Sequence, residues 1–156
     1  ERLVVMANHL KSKGFGTPAV SNARRMAQAR RVRAIYDQLS QNGTDHIAIC
    51  GDFNDTPDSA PLAPLLADGS DLKDISEHPH FADGGRPGTF GNGTKGNKID
   101  YILLSPALFA KVTAGGIFRK GVWGGKNGTL WEIYPEITNV NEAASDHAAI
   151  WADLDL

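Results

Sequence analysis

The sequence predicts an α+β protein with its loops gathered at one edge of a mainly antiparallel sheet. Apolar segments of strand length outnumber helical segments, and clusters of polar side chains stand at the ends of several strands. The 156 residues, 41% of them hydrophobic, carry a net charge of −2, which is typical of one globular domain or part of one. No apolar run is long enough to cross a bilayer.

The predicted strands are, in chain order, 2–10, 46–52, 98–105, 115–123 and 147–156. Each is an apolar or alternating run, which is typical of a buried or half-buried strand. One long helix is predicted from Ser21 to about Gln41, since Ser21 or Asn22 can cap its start and an Asn-Gly pair follows its end. Short helices are predicted at 58–69 and 106–111, and loops at 11–20, 76–98 and 123–145.

Two features of the composition favour structural roles over functional ones. The single Cys50 excludes an internal disulfide and a zinc site built from several cysteines, and its apolar neighbours indicate a small buried side chain. Five arginines spread around the long predicted helix, which favours a solvated helix face over a ridge that contacts DNA. They are Arg24, Arg25, Arg30, Arg31 and Arg33.

The segment "GDFND" places Asp52 and Asn54 directly after a buried strand. Alternate side chains of an extended segment share a face, so these two point together while Phe53 turns towards the core. A carboxylate beside an amide offers oxygen ligands to a hard cation. The alternative is a turn in which both side chains bond their own backbone, and Asp55 is expected to cap the next turn.

Histidines stand beside two other strands. His147 precedes the last strand and is a candidate general acid or base, whereas its neighbour Asp146 points to the opposite face. Asp100, isolated in the apolar strand "KIDYILL", needs a partner and is the predicted orienting acid for His147. His9 ends the first strand, where Lys11 adds positive charge that suits a phosphate; a structural histidine and a solvated loop are the alternatives.

Taken in order, "NHLKSKG", "GDFND", "IDYILLS" and "SDHAAI" resemble the endonuclease/exonuclease/phosphatase superfamily of DNase I-like proteins. The resemblance covers residues 9–150, and the first motif with its Arg-rich helix is closest in look to bacterial extracellular nucleases. It implies half of a four-layer αββα sandwich. Only eight residues precede His9, and the strands of the family that carry an Asn and a metal-binding Glu do not occur there.

The resemblance also implies roles for single residues. His9 and His147 match the histidines that contact the scissile phosphate, with Lys11 and Asn54 also expected to bind substrate. Asp52 and Asn54 match the pair that orients the attacking water, and Asp100 matches the acid that holds the last histidine. Asp146, together with Asp52, is the expected ligand set for Mg²⁺ or Mn²⁺, which neutralises charge during hydrolysis of a phosphoester.

Several expectations follow from this resemblance. Residues 1–156 are expected to form the C-terminal part of one domain, paired either with the missing N-terminal half or with a second copy, because a lone half leaves an apolar sheet face in water. A secreted or periplasmic location is favoured by the resemblance alone. The expected activity is that of a metal-dependent phosphodiesterase that cleaves DNA as an endonuclease or exonuclease. A lipid or inositol-phosphate phosphoesterase and an inactive interaction module are the alternatives.

Overall fold

The computed structural model describes residues 2–156 and confirms the α+β class. Seven strands are present in this part of the chain: β1 Leu3–His9, β2 His46–Asp52, β3 Lys73–Asp74, β4 Phe81–Ala82, β5 Asp100–Leu104, β6 Val112–Phe118 and β7 Ala149–Leu154. The helices are α1 Pro18–Gln41, α2 Ala63–Leu66 and α3 Pro106–Phe109. Short 3₁₀ turns lie at Ala60–Leu62, Ile75–Glu77, Lys95–Asn97 and Val140–Glu142.

The strands form two sheets. The first has the order β1-β2-β5-β3 and the second the order β4-β6-β7. The pairs β1–β2 and β4–β6 are parallel, whereas β2–β5, β3–β5 and β6–β7 are antiparallel. The mainly antiparallel sheet expected from the sequence is therefore present, and it is divided into two.

Two apolar cores hold three layers together. One core lies between α1 and the first sheet and includes Ala29, Val32, Tyr36 and Ile49. The second core joins the two sheets, with Leu104 of β5 and Val112 of β6 among its buried residues. The order of layers is therefore helix, sheet, sheet. None of the helices in residues 2–156 is long and apolar enough to cross a membrane.

Three predictions about the long helix region are wrong in detail. The helix begins at Pro18, because the Thr17 side chain accepts the N–H of Val20 and proline suits the first turn. Ser21, the expected cap, therefore lies inside the helix and is fully buried. Arg25 is not solvated either, since it is fully buried and ion-paired, as described below.

The other differences concern element ends. Strand β6 ends at Phe118, earlier than expected, and the predicted loop 76–98 contains the short strand β4 and a 3₁₀ turn. Cys50 is partly buried, and that burial raises the pKa of its thiol, in keeping with the packing role predicted for it.

Candidate active site

The ends of three neighbouring strands bring three of the predicted site residues side by side. Strand β1 pairs with β2 so that His9 lies opposite Asp52, and β2 pairs with β5 so that Asp52 lies opposite Asp100. Asp52 is therefore at the centre of this row. The His9 Nε2 atom is 3.7 Å from Asp52 Oδ2, and the His9 side chain is 75% exposed.

A glycine allows β1 and β2 to approach closely beside this row. Gly51 has φ +132°, and a Cβ placed on it would lie 1.9 Å from the backbone oxygen of Asn8. Only glycine fits such an approach and such a backbone angle. The spacing of His9 and Asp52 depends on this contact because each follows one of the two touching residues.

The turn after β2 fixes Asp52 and Asn54 to each other. Phe53 is fully buried and stacks on Tyr101 with 4.9 Å between ring centroids, as expected from strand alternation. Asn54 has φ +56°, a region that asparagine tolerates. Its N–H donates to Asp52 Oδ1 at 2.7 Å, and its Nδ2 donates to Asp52 Oδ2 at 3.0 Å and to the Leu10 oxygen at 3.1 Å. The local turn weighed as an alternative is thus present, and it also orients the pair.

The surroundings of Asp52 favour its protonated form more than water favours that of an ordinary aspartate. Burial raises the pKa of the Asp52 carboxyl, and the nearby charge of Asp100 raises it further. The N–H of Asn54 and the rings of His147 and His9 act in the opposite direction, and the net shift is upward. A carboxylate with a raised pKa is a better proton acceptor, which suits a general base.

Asp100 and His147 form the pair predicted from the sequence. The His147 Nδ1 atom is 2.9 Å from Asp100 Oδ2, and the two side chains are 28% and 14% exposed. The Phe90 ring lies against the His147 ring with 4.9 Å between centroids. The backbones of the two residues also form an antiparallel β-bridge. The imidazole is therefore held on one nitrogen by a carboxylate and on one side by an aromatic ring.

Sequence reasoning missed Thr89, which is the second partner of Asp100. Its Oγ1 donates to Asp100 Oδ2 at 2.6 Å and accepts the Asp100 N–H at 3.2 Å. Its backbone oxygen accepts the N–H of Ala148 at 2.6 Å, so Thr89 contacts both sides of the pair. Thr89 is buried. In the sequence it is only a polar residue between Gly88 and Phe90, in a loop whose composition predicts exposure to solvent.

The remaining predicted residues lie at the margin. Asp146 is 67% exposed and its Oδ1 is 3.9 Å from His147 Nε2. The Lys11 ammonium donates to the oxygens of Gly14 and Ser12 at 2.6 and 3.0 Å, so it holds its own loop. Their roles in metal binding and substrate binding stay predictions.

An open groove of about 430 Å³ runs over the site. It is lined by Ser12, Lys13, Gly14, Asn54, Phe90, Gly96, Asn97, Ile99 and His147. Of the two lysines that the sequence places after β1, Lys11 and Lys13, it is Lys13 that lines the groove and supplies its positive charge. The groove therefore runs from the basic loop after β1 across the Asp52–Asn54 turn to the paired histidine.

The side chains of Asp52, Asp100 and His147 lie close enough together to hold a metal ion. Among residues 2–156, one oxygen each of Asp52 and Asp100 and one ring nitrogen of His147 lie within 4.8 Å of one another. Burial is the largest cause that raises the pKa of Asp52. The charge of Asp100 raises it further, because two close carboxylates repel each other. A divalent cation relieves that repulsion, and carboxylate oxygens suit Mg²⁺ or Mn²⁺. The donor set therefore fits the expected ion.

The fold consists of two packed sheets with the long helix α1 against the first of them. The model of the endonuclease/exonuclease/phosphatase family matches residues 4–147, which is nearly the whole chain, and the chain therefore belongs to this family. Members of the family are phosphoric ester hydrolases. The resemblance of the four sequence motifs is thereby confirmed.

Solved structures of the same superfamily share the architecture. A mannosyl-6-phosphatase from Bacteroides thetaiotaomicron is 20% identical with a TM-score of 0.63, over 86% of this chain and 46% of its own. A 3'-5' exonuclease from Neisseria meningitidis is 17% identical with a TM-score of 0.59, over 97% of this chain and 61% of its own. The beta toxin of Staphylococcus aureus is 15% identical with a TM-score of 0.59, over 97% and 52%.

These similarities confirm the DNase I-like fold. The chain spans about half the length of the three structures, 46%, 52% and 61% of each. No curated protein sequence matches the chain.

Proposed function

We propose that this chain carries the catalytic groups of a divalent-metal-dependent phosphodiesterase that cleaves DNA, as an endonuclease or exonuclease. The observation that carries the proposal is the contact of His147 with Asp100 at 2.9 Å beside the Asp52–Asn54 turn. An oriented imidazole next to a carboxylate–amide pair provides a phosphate-binding group and a water-activating group in one groove. In-line hydrolysis of a phosphoester needs both.

Each side chain has a part in this reaction. Asp52 accepts a proton from the attacking water, and its raised pKa favours that step. Asn54 is fixed by Asp52 and the Leu10 oxygen, and its amide orients the water. His147 and His9 donate hydrogen bonds to the oxygens of the scissile phosphate, and Asp100 keeps the His147 ring in register.

A metal ion completes the site. Asp52 is central to the three-residue cluster that the structure brings together, and Asp146 supplies a further, more exposed carboxylate beside His147. These residues would hold Mg²⁺ or Mn²⁺, which when bound stabilises negative charge on the phosphoryl oxygens.

The shape and charge of the groove support DNA as the substrate. It is open, and Lys13 stands on its rim with a side chain that is 61% exposed, which suits a backbone that carries a phosphate at every step. The second candidate is a lipid or inositol-phosphate phosphoesterase, and one feature favours its lipid form. A mostly apolar cavity of about 250 Å³ also has His147 in its wall, together with Phe118, Val122 and Tyr134.

The first test is nicking of supercoiled plasmid in Mg²⁺ by the wild type and by His147→Ala. The matched control is His80→Ala, since His80 is exposed and lies outside the groove. Cleavage that is lost in His147→Ala and kept in His80→Ala supports the proposal. Cleavage that both variants keep contradicts the role of His147.

A substrate panel separates the candidate functions. Hydrolysis of plasmid and of bis(p-nitrophenyl) phosphate, with none of sphingomyelin vesicles, supports the nuclease. The reverse pattern supports a lipid phosphoesterase. Plasmid binding without hydrolysis in either metal supports an inactive interaction module.

We also propose that a partner covers the open sheet face, either the N-terminal half of the fold or a second copy. Leu3 and Val5 of β1 are 39% and 58% exposed, and Trp151 of β7 is 40% exposed. Strand β1 is an edge of the first sheet and β7 an edge of the second, so both sheets expose apolar side chains, and exposed apolar patches mark an interaction surface. Light scattering over a range of protein concentrations tests for the second copy, and Val5→Lys would weaken it.

A further inference from the structure

A buried arginine of helix α1 holds the two segments that meet at the Asn54 amide. Arg25 is fully buried. Its Nη1 donates to the oxygen of Lys11, in the loop after β1, at 2.6 Å. Its Nε and Nη2 donate to Asp55 Oδ2, in the turn after β2, at 3.0 and 2.8 Å, and Nη2 also donates to Asn22 Oδ1 at 2.6 Å. One guanidinium therefore joins the helix, the loop and the turn.

The carboxylate that accepts from this guanidinium is fixed by further bonds. Lys13 Nζ is 2.7 Å from Asp55 Oδ1, and the Thr56 N–H donates to the same oxygen at 3.1 Å. The Tyr101 hydroxyl donates to the Asp55 backbone oxygen at 2.8 Å. Burial alone would raise the pKa of the Asp55 carboxyl, but the hydrogen bonds from Lys13 and Arg25 outweigh it and lower that pKa. Asp55 is therefore an ionised anchor with a fixed position.

The Asn54 amide lies between the two anchored segments. Its Nδ2 donates to the Leu10 oxygen at 3.1 Å, and its φ of +56° is a left-handed angle that residues other than glycine keep only where the surroundings hold it. The residue after Leu10 is Lys11, and the residue after Asn54 is Asp55; both accept from Arg25. Arg25 therefore holds the acceptor and the donor of the bond between Asn54 and Leu10, each through the next residue.

Gln28, three residues further along α1, holds the same loop. Its Oε1 accepts the Lys11 N–H at 2.7 Å, so the helix binds both backbone groups of Lys11. A guanidinium is a planar fork that fixes two acceptors relative to each other, which the ammonium of a lysine does not do. A buried ion pair adds little net stability over apolar side chains of similar volume. What the pair of Arg25 and Asp55 supplies is a fixed geometry between the helix, the loop and the turn.

We infer that Arg25 is a positioning residue for the side-chain amide of Asn54, and through that amide for the attacking water. Arg25 is fully buried, so it contacts no substrate. It acts by keeping the Leu10 oxygen and the Asn54 side chain at hydrogen-bond distance. The inference rests on the proposed function, because that function assigns the Asn54 amide to the water.

The test compares Arg25→Lys with Arg33→Lys. Arg33 is the matched control because it also lies on α1 and contacts polar side chains, none of which lines the groove: Asp37, Ser70 and Asp71. We expect kcat for bis(p-nitrophenyl) phosphate to fall about 10- to 100-fold in Arg25→Lys with KM little changed, since a displacement of about 1 Å costs about 10²-fold. Arg33→Lys should leave kcat unchanged.

A second measurement needs no turnover and no metal. The side-chain NH₂ resonances of Asn54 report its bonds to Leu10 and Asp52. We expect the ¹H and ¹⁵N shifts of this NH₂ group to change in Arg25→Lys and to stay the same in Arg33→Lys. In the Asn54→Ala background, Arg25→Lys should cause little further loss of kcat, because the group through which it acts is gone.

Unchanged Asn54 resonances in Arg25→Lys overturn the inference. An equal loss of kcat in the wild type and in the Asn54→Ala background also overturns it, since that result shows a general effect on the fold. If the wild type hydrolyses no phosphoester while the Asn54 resonances respond as expected, the catalytic proposal alone fails.

Gln28→Ala provides the answer if thermal denaturation shows that Arg25→Lys does not fold. It removes only the acceptor of the Lys11 N–H. We expect it to shift the Asn54 NH₂ resonances and to lower kcat about fivefold, the effect of one hydrogen bond. A Gln28→Ala protein with wild-type resonances and wild-type kcat overturns the inference.

Discussion

The contact between Asp100 and His147 can be broken by a change of one atom, Asp100→Asn. Asp100 Oδ2 lies 2.9 Å from His147 Nδ1 and 2.6 Å from Thr89 Oγ1. An asparagine keeps the volume of the side chain but offers either a neutral oxygen or an NH₂ donor at that point. The first weakens the bond to the ring, and the second forces the ring into the other tautomer.

The expected magnitude follows from these two cases. Exchange of a charge-assisted hydrogen bond for a neutral one removes about 1–2 kcal/mol, or about fivefold to thirtyfold in rate. A reversed tautomer in a hydrolase triad lowers kcat by about 10⁴-fold. Because Asp100 serves both His147 and Thr89, we expect a fall in kcat of about 10²-fold or more, with KM little changed.

Two assays follow this variant. Hydrolysis of bis(p-nitrophenyl) phosphate gives kcat and KM, with Asp153→Asn as the matched control because Asp153 is exposed on β7. The ¹⁵N shifts of the His147 ring report its tautomer without any need for turnover. We expect Nδ1 to carry a proton in the wild type, where it donates to Asp100, and to carry it only in part in Asp100→Asn.

Thr89→Val supplies the decisive comparison. If Thr89 acts by holding Asp100, Thr89→Val lowers kcat about tenfold in the wild type. In the Asp100→Asn background the same change causes little further loss. Equal losses in both backgrounds would refute that route. An Asp100→Asn enzyme with wild-type kcat and an unchanged His147 tautomer would refute the pairing itself.

Three further predictions concern the strand ends and the buried ion pair. Asp52→Ala should lower hydrolysis about 10³-fold while thermal denaturation changes little, and retained activity would remove Asp52 from the mechanism. Gly51→Ala should cost about 2–4 kcal/mol in urea unfolding, because its Cβ would meet the Asn8 oxygen at 1.9 Å, and a stable variant would show that β1 can shift. The pKa of Asp55 is lowered in the fold, so its contribution to stability is complete above the unfolded pKa and is lost as the pH falls through the folded one. Asp55→Asn should therefore be less stable near pH 7, and its unfolding free energy should vary less below about pH 4 than that of the wild type.

The elements that the sequence predicts well are those with a strong local pattern. The apolar run before Asp52 and the isolated Asp100 in "KIDYILL" both correspond to strands, and their pairing follows from two buried faces that need each other. The start of α1 was misplaced because Ser21 and Thr17 are both capable caps. Only the fold shows that Thr17 bonds the N–H of Val20.

The site was predictable where a polar side chain contradicts its apolar surroundings. Asp100 is such a residue, and its need for a partner led to His147 across 47 positions of sequence. Thr89 and Arg25 lack this signal, because a threonine in a Gly-rich loop and an arginine on a long helix are ordinary in water. Their functions depend on burial, which arises only when distant segments pack.

The row of strand ends also sets an order of events during folding. The groups at the site come from positions 9, 52–54, 89, 100 and 147, and no two neighbouring segments suffice to assemble them. His147 precedes β7, which pairs with β6 of the second sheet. We therefore expect the imidazole to reach Asp100 only after both sheets have formed and met, since long-range closure is slow. A partly folded chain that lacks this contact between the sheets would hold the carboxylates without the imidazole that stands beside them.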